Sequence, residues 1–457
     1  MVLKKKNSLI PLSRNFPKLQ IEEIPISSLK WNARSPRVHP EKQIEMLARN
    51  IDTFGFLIPC LISDQNRLLC GNARVLSAMR LGMETVPAVR VSHLSDNDQR
   101  VFILADAKLS EHARWHPEIL QEEIQFFTNL NIDFDFSVIG FETAEVDFIL
   151  ERMEEQIEDD PTESLRPQAI SRSGDIWRAG EHRVCCGDAL SERSYDAVLG
   201  SNKAGLVVTD PPYNVRINGH VGGSGEIQHR EFAMASGEMT PAQFVSLLTV
   251  SLGTWLRAHS GDGSLQYIFM DWRHCPEILA AGQAAYNELK NICVWRKANA
   301  GMGSLYRSQH EFVFVFKNGT AAHINNINLG AHGRNRSNVW DYAGINGFGR
   351  HRDELLAMHP TVKPVAMLAD IIKDASHRGD VVLDAFGGSG STLIAAERTG
   401  RRAAIIEIDS LYVDATIRRW QTLTGRTAYC EVTGETFTER EASVDVDADR
   451  RIAHDSR

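Results

Sequence analysis

Residues 381–408 constrain the fold more than any other stretch. Val381-Val382-Leu383-Asp384 reads as a short buried strand, Ala385 to Gly390 as a glycine-rich turn, Leu393 to Arg398 as a helix and Arg402 to Ile408 as a second strand. A strand–turn–helix–strand unit sets two strands parallel, and parallel strands are stable when both faces of the sheet are covered. Apolar runs of the same buried character recur at Val207-Val208, Tyr267 to Met270 and Phe312 to Phe316, with helical patterns between several of them. From Gly174 onward this alternation predicts a doubly wound α/β domain with a parallel-rich sheet.

The chain before Gly174 has a different grain. Ile21 to Ile26 alternates as a strand does, and Glu41 to Phe54 carries Ile44, Leu47, Ala48 and Ile51 at helical spacing. Ile58 to Ile62 and Arg67 to Leu69 read as strands joined by Asp64-Gln65-Asn66. Ala73 to Leu81 reads as a helix closed by Gly82, and Val86 to Val91 as a further strand. This predicts a smaller α+β domain over 21–110, preceded by a flexible basic arm at 1–20. Residues 111–172 read as a helical segment ending in an acidic, proline-containing linker around 156–172. The second domain is expected over 173–436, with a disordered polar tail at 437–457.

Charge and cysteine usage narrow the class. Lys and Arg total 50 against 59 Asp and Glu, a formal net charge of −9, which argues against a protein that coats nucleic acid without regard to sequence. Only the local field matters at a specific contact. Residues 290–352 hold nine basic residues, including Arg296, Lys297, Arg307, Arg334 and Arg336, against two acids, Glu311 and Asp341. That is a candidate phosphate-contacting face. The 7 cysteines include no C-x-x-C pair, so no metal site is expected, and a reducing cytoplasm is the expected setting. No signal sequence is read at the N-terminus, and no apolar run reaches the roughly 20 residues that span a bilayer.

Four short motifs carry the chemistry. Thr209-Asp210-Pro211-Pro212-Tyr213 directly follows the strand Leu206 to Val208. In open α/β sheets ligands bind beyond the carboxyl ends of strands. Two prolines fix φ and donate no backbone hydrogen bond, so the Asp210 carboxylate and the Pro211 carbonyl are held as acceptors beside an aromatic ring. An exocyclic amino group on a flat, flipped-out base needs such a pocket. The plain alternative is a strand terminator with an incidental acid. The glycine turn Phe386-Gly387-Gly388-Ser389-Gly390 keeps the close backbone approach of a nucleotide site. It lacks the third glycine of the dinucleotide fingerprint and the lysine of a P-loop, which suits a nucleoside ligand without a pyrophosphate. Glu407 follows Asp384 at about the 20-residue spacing of a ribose-binding acid. His359-Pro360-Thr361-Val362-Lys363-Pro364 offers a hydroxyl and an ammonium just before a helix.

In combination and in this order, Cys186-Gly187-Asp188, Asp210-Pro211-Pro212-Tyr213, His-Pro-Thr-x-Lys-Pro and Asp-x-Phe-x-Gly-Ser-Gly resemble the amino-methylating DNA methyltransferases. The resemblance is to the permuted group, whose catalytic motif precedes the cofactor motif, and it covers roughly 174–435. It implies a Rossmann-like methyltransferase sheet, S-adenosyl-L-methionine as cofactor, double-stranded DNA as partner and no metal, and it admits a homodimer, since this family often dimerises. By the same resemblance Asp210, Pro211, Pro212 and Tyr213 form the catalytic pocket. Asp384, Phe386, Gly387, Gly388 and Gly390 line the cofactor site, Glu407 meets the ribose, Asp188 the adenine end, and Thr361 and Lys363 the methionine moiety. The DNA-recognition segment falls at about 220–355. An Asp in the first catalytic position is typical of adenine enzymes, whereas cytosine-N4 enzymes more often carry Ser, so N6-adenine is the expected product and N4-cytosine the alternative. Residues 21–110 resemble the ParB-like nuclease/partition domain through Leu69-Cys70-Gly71-Asn72-Ala73-Arg74, although Asn72-Ala73 stands where that family usually has Glu-Arg. Such fusions accompany phage, mobile DNA or restriction–modification. A regulatory DNA-binding protein with a vestigial methyltransferase half is the reading from a different class.

Overall fold

The computed structural model describes residues 18–444 apart from 33–34, 111, 114, 130–135, 155–162, 164, 167, 216–234, 299, 301–304, 328–335 and 343–361. The chain divides into two compact units, 1–142 and 143–457.

In the first unit β1 (Ile21–Pro25), β2 (Cys60–Ile62), β3 (Leu68–Cys70) and β4 (Thr85–Arg90) form one sheet in the order β1-β4-β2-β3. β1 runs antiparallel to β4, β4 parallel to β2, and β2 antiparallel to β3. The helix Glu41–Phe54 buries Ile44, Ala48 and Ile51, the face its spacing predicts. Gly71 sits at φ +105°, and a Cβ there would lie 2.7 Å from Cys60 Sγ, so this turn requires glycine.

In the second unit β5 (Ile176–Ala179), β6 (His182–Cys186), β7 (Ala204–Thr209), β8 (Ser260–Met270), β9 (Glu288–Arg296), β10 (His310–Lys317), β11 (Val339–Asp341), β12 (Val381–Asp384), β13 (Arg402–Glu407) and β14 (Tyr429–Cys430) make a ten-stranded sheet. Its order is β11-β9-β10-β8-β7-β12-β13-β6-β5-β14. The centre, from β8 to β6, is parallel. Alternate residues feed the two faces, as the period of a strand requires. Leu206, Val208, Val382 and Ile405 enter one core, and Val207, Leu383, Ala404 and Ile406 the other. That is why these strands read as unbroken apolar runs.

From β12 the chain crosses through the helix Ser391–Thr399 to β13 on one side. From β7 it crosses through the helix Pro241–Thr249 and its continuation to β8 on the other. The direction of winding therefore reverses between β12 and β7, which opens a crevice at their carboxyl ends.

Two boundaries differ from the sequence reading. The helix Thr143–Glu154, expected in a connecting segment, belongs to the second unit. Its Asp147 is buried and accepts hydrogen bonds from Arg401 Nη1 (3.0 Å), Arg401 Nη2 (2.8 Å) and Arg378 Nη1 (2.9 Å). Burial works against that carboxylate, but the two guanidinium groups hold its pKa below the usual range. The tail expected to be disordered from 437 instead begins with a helix over 437–444. Thr436 and Glu439 cap it reciprocally, and Phe437 is fully buried, its ring 5.1 Å from that of Trp177. Arg440 pairs with Asp175 at 2.5 Å and Glu441 with Arg418 at 2.7 Å. The local sequence is polar, but its few anchors bind partners far away in the chain. Among the described residues no helix is long and apolar enough to cross a membrane, and no cluster of His, Cys, Asp or Glu is placed to hold a metal ion.

Candidate active site

The strand ends assemble the site. Thr209, last in β7, donates its hydroxyl to Asp384 Oδ1 (2.9 Å), last in β12, and Asp384 also accepts from Thr392 Oγ1 (2.7 Å) and the Phe386 N–H (3.1 Å). Burial pushes the Asp384 carboxyl up to about 6 in spite of these donors. Asp384 thus braces the glycine turn against the neighbouring strand end. Gly387 and Gly390 are needed for packing: a Cβ on Gly387 would lie 2.2 Å from Ile405 Cγ2, and one on Gly390 2.5 Å from Thr416 Cγ2. Gly388, at φ +51°, donates its N–H to Glu407 Oε2 at 2.7 Å. Phe386 is half-buried beside the turn.

Glu407 ends β13 and accepts a second backbone N–H, from Asp409, at 2.8 Å. Burial raises its carboxyl to about 7. The Gly187 N–H donates to the Glu407 carbonyl at 2.9 Å, which brings Asp188, at the end of β6, next to it. Asp188 is half-buried and accepts from the Leu190 N–H at 2.8 Å. Glycine turn, Glu407 and Asp188 therefore follow one another along the carboxyl edge of β12, β13 and β6.

On the β7 side, Pro211 is buried and Pro212 half-buried. Tyr213 donates its hydroxyl to Asp210 Oδ1 at 2.5 Å. Burial and the Asp210 and Glu311 carboxylates push the Tyr213 phenol far up, so it remains a donor. Lys363 reaches Asp210 Oδ2 at 2.5 Å and Glu311 Oε2 at 3.3 Å. Sequence reasoning set Lys363 beside the methionine moiety; in the structure its ammonium lies against the Asp210 carboxylate. Thr361, His359 and Pro360 lie outside the described residues. Burial raises the Asp210 carboxyl and Glu311 adds to this, with Lys363 opposing.

Glu311 had no role in the sequence reading beyond one of two acids in a basic segment. Its only signal is that a carboxylate stands second in the strand His310–Lys317, directly before the apolar run Phe312 to Phe316. It is 7% exposed.

The candidate DNA contacts divide. β10 runs antiparallel to β8 with Phe312 opposite Met270, so the loop 297–309 between β9 and β10 leaves from the same edge as the site. Arg296 is exposed beside Asp341, and Arg307 donates to the Ala300 carbonyl at 2.8 Å. Lys297 is paired with Glu311 at 2.5 Å. The loop also displays Leu305 and Tyr306 at 84% and 85% exposure. Arg336 is not a surface cation: it pairs at 2.7 Å with both Asp370 and Asp374, inside the domain. Arg334 lies outside the described residues.

Residues 204–418 match the DNA methylase family of the N6/N4 type, and residues 13–107 match the ParB N-terminal domain. The type II methyltransferase M.HpaI of Haemophilus parainfluenzae is 22% identical over 248 residues, covering 51% of this chain and 72% of its own. Among solved structures, an M1.HpyAVI–SAM complex is 19% identical, covering 52% of this chain and 97% of its own, with a TM-score of 0.38. The PvuII DNA methyltransferase, described as cytosine-N4-specific, is 16% identical, covering 56% and 89%, with a TM-score of 0.40. The chain therefore carries a DNA methylase domain of the N6/N4 type, preceded by a ParB N-terminal domain.

Proposed function

We propose that the protein methylates the N6 amino group of adenine at a specific sequence in double-stranded DNA. The observation that carries this reading is the Asp210 carboxylate, held by Tyr213 and Lys363 at the switch point of the sheet, one strand from the glycine turn. Asp210 and the Pro211 carbonyl accept the two hydrogens of the amino group and direct its lone pair outward, and the Tyr213 ring stacks on the flipped base.

The donor set fits S-adenosyl-L-methionine. Each Glu407 oxygen has one backbone N–H and room for a second donor, which suits the two hydroxyls of a ribose. Asp188 offers an acceptor to an adenine amino group, and the Gly387-Gly388 backbone allows close approach. The bound cofactor supplies a methyl group already activated by the sulfonium, so this chain's residues position and orient. No metal enters this scheme.

Arg296 and Arg307 supply phosphate contacts on the edge where the base must enter, while Lys297, at the root of the same loop, is engaged by Glu311. The ParB N-terminal domain assists DNA engagement or homodimer formation, in the cytoplasm where the DNA substrate lies. Adenine is favoured over cytosine by Asp in the first catalytic position. A vestigial site is disfavoured because the acceptor, its clamp and the glycine turn are all intact. Long-read sequencing of DNA from cells expressing the protein tests the assignment: N6-methyladenine at one recurring motif is expected. N4-methylcytosine at that motif would replace adenine by cytosine as the target.

A further inference from the structure

Behind the base pocket four charged side chains alternate in sign. Lys297 Nζ lies 2.5 Å from Glu311 Oε1, Glu311 Oε2 lies 3.3 Å from Lys363 Nζ, and Lys363 Nζ lies 2.5 Å from Asp210 Oδ2. They come from the end of β9, from β10, from the loop before the helix Val365–Ala375 and from the end of β7. Lys363 is 6% exposed, with its ammonium 5.6 Å from the Tyr213 ring centroid and 5.2 Å from that of Phe269. A buried ammonium or carboxylate without a partner is costly, so every member of the row depends on its neighbours.

Both Asp210 oxygens are already engaged, one accepting from Tyr213 and the other from Lys363; each keeps a lone pair for the incoming amino group, but as a weaker acceptor while the ammonium holds the carboxylate. Glu311 and Asp210 share their partners rather than bonding to each other: the Tyr213 hydroxyl lies 2.5 Å from Asp210 Oδ1 and 3.3 Å from Glu311 Oε2. Glu311 also touches the cation that holds Asp210, and its other oxygen is held by Lys297. We propose that Glu311 is a positioning residue: it shares the Lys363 ammonium with Asp210, so that Lys363 can yield an Asp210 oxygen to the target amino group without becoming an unpaired buried charge. This rests on the methyl-transfer reading of the site. The movement needed is small, because Lys363 already sits within ion-pair reach of both carboxylates. Burial opposes ionisation of Glu311, but Lys363 and Lys297 together hold it at about 2, so it is a standing anion ready to take the load.

The groups facing Asp210 are Lys363, Glu311 and the Tyr213 phenol, with Asp384 nearby and Asp271 beside Tyr213. Their signs give a test that a merely structural role would not pass. Glu311→Gln removes a nearby negative charge and leaves Lys363 to Asp210 alone. Lys363→Met strips Asp210 of its cation and leaves burial and Glu311 to raise it. Single-turnover methyl transfer to duplex DNA is measured against pH with saturating cofactor. The acid limb should move down by about one unit in Glu311→Gln and up by about one unit in Lys363→Met. The plateau of Glu311→Gln should fall ~10-fold, and Glu311→Asp, which keeps the charge, should leave the limb in place. Calorimetric affinity for S-adenosyl-L-methionine, within about threefold of wild type, serves as the folding control. Limbs that stay in place, or that move the same way in both variants, overturn the proposal, as does a Glu311→Asp limb displaced as far as that of Gln. Should Lys363→Met fail to bind the cofactor, the Gln and Asp limbs at 311 still decide it. Methylation by the wild type with unmoved limbs sinks this inference alone, whereas a wild type that methylates no DNA removes the functional reading and this inference with it.

Discussion

At the scale of single residues the account depends on acceptors. Asp210→Ala removes the acceptor for the amino group and leaves the glycine turn intact. Methyl transfer should fall by at least ~100-fold, the low end of what a positioned acid–base group contributes, while cofactor affinity stays near wild type by calorimetry. Tyr213→Phe keeps the ring and loses the hydroxyl that holds Asp210 Oδ1, and Tyr213→Ala loses both. Base–aromatic stacking is worth about 1–3 kcal/mol, so kcat/KM for DNA should fall in the order Tyr, Phe, Ala, with the larger step at Ala. Equal losses for Phe and Ala would remove stacking from the scheme. Glu407 supplies a pH dependence. Burial raises its carboxyl to about 7, and only the ionised form is a strong acceptor for ribose hydroxyls. Cofactor affinity should therefore be full above pH 7 and weaken as pH falls through 7, by up to about tenfold per unit. Glu407→Gln should bind weakly with this dependence flattened, as titration calorimetry across the range would show.

At the scale of elements, the parts legible in sequence were those whose signal is local. The strand before Asp210, the β12–glycine turn–helix–β13 unit and the helix Glu41–Phe54 each announce themselves in one continuous stretch of sequence. β5, β6, β9, β11 and β14 were not read, because they are short or mixed in polarity and depend on partners distant in sequence. The same holds for 437–444, whose order comes from Phe437 on Trp177 and Arg440 on Asp175. Phe437→Ala should lower stability by about 3–5 kcal/mol, measured by denaturant unfolding. A change within a few tenths would mean that this helix contributes nothing to the core. The site shows the same division. Asp210 to Tyr213 and the glycine turn were legible because backbone restriction shows in residue type. The Glu311–Lys363 contact joins positions 52 apart and has no local pattern. The glycines themselves carry two roles that sequence could not separate. Gly387 is required by Ile405 packing, so Gly387→Ala should cost about 1–3 kcal/mol of stability before any effect on the cofactor.

At the scale of the molecule, the chain divides into two compact units at 142/143, ahead of the acidic stretch in which composition sets the linker. A fragment beginning at Thr143 should fold and bind cofactor. One beginning at Ser171 lacks Asp147 and leaves the buried Arg401 guanidinium without its carboxylate, at a cost of about 3–5 kcal/mol. Equal melting temperatures for the two fragments would make that ion pair dispensable. If the ParB N-terminal domain assists DNA engagement, the longer fragment should match the full chain in single turnover at saturating DNA and fall behind it at low DNA. The central claim, that this sheet edge transfers methyl groups to adenine nitrogen, is tested most directly by nucleoside mass spectrometry of duplex DNA incubated with methyl-deuterated S-adenosyl-L-methionine. The account predicts labelled N6-methyladenine from the wild type and none from Asp210→Ala. Label on cytosine, no label from the wild type, or undiminished label from Asp210→Ala would contradict it.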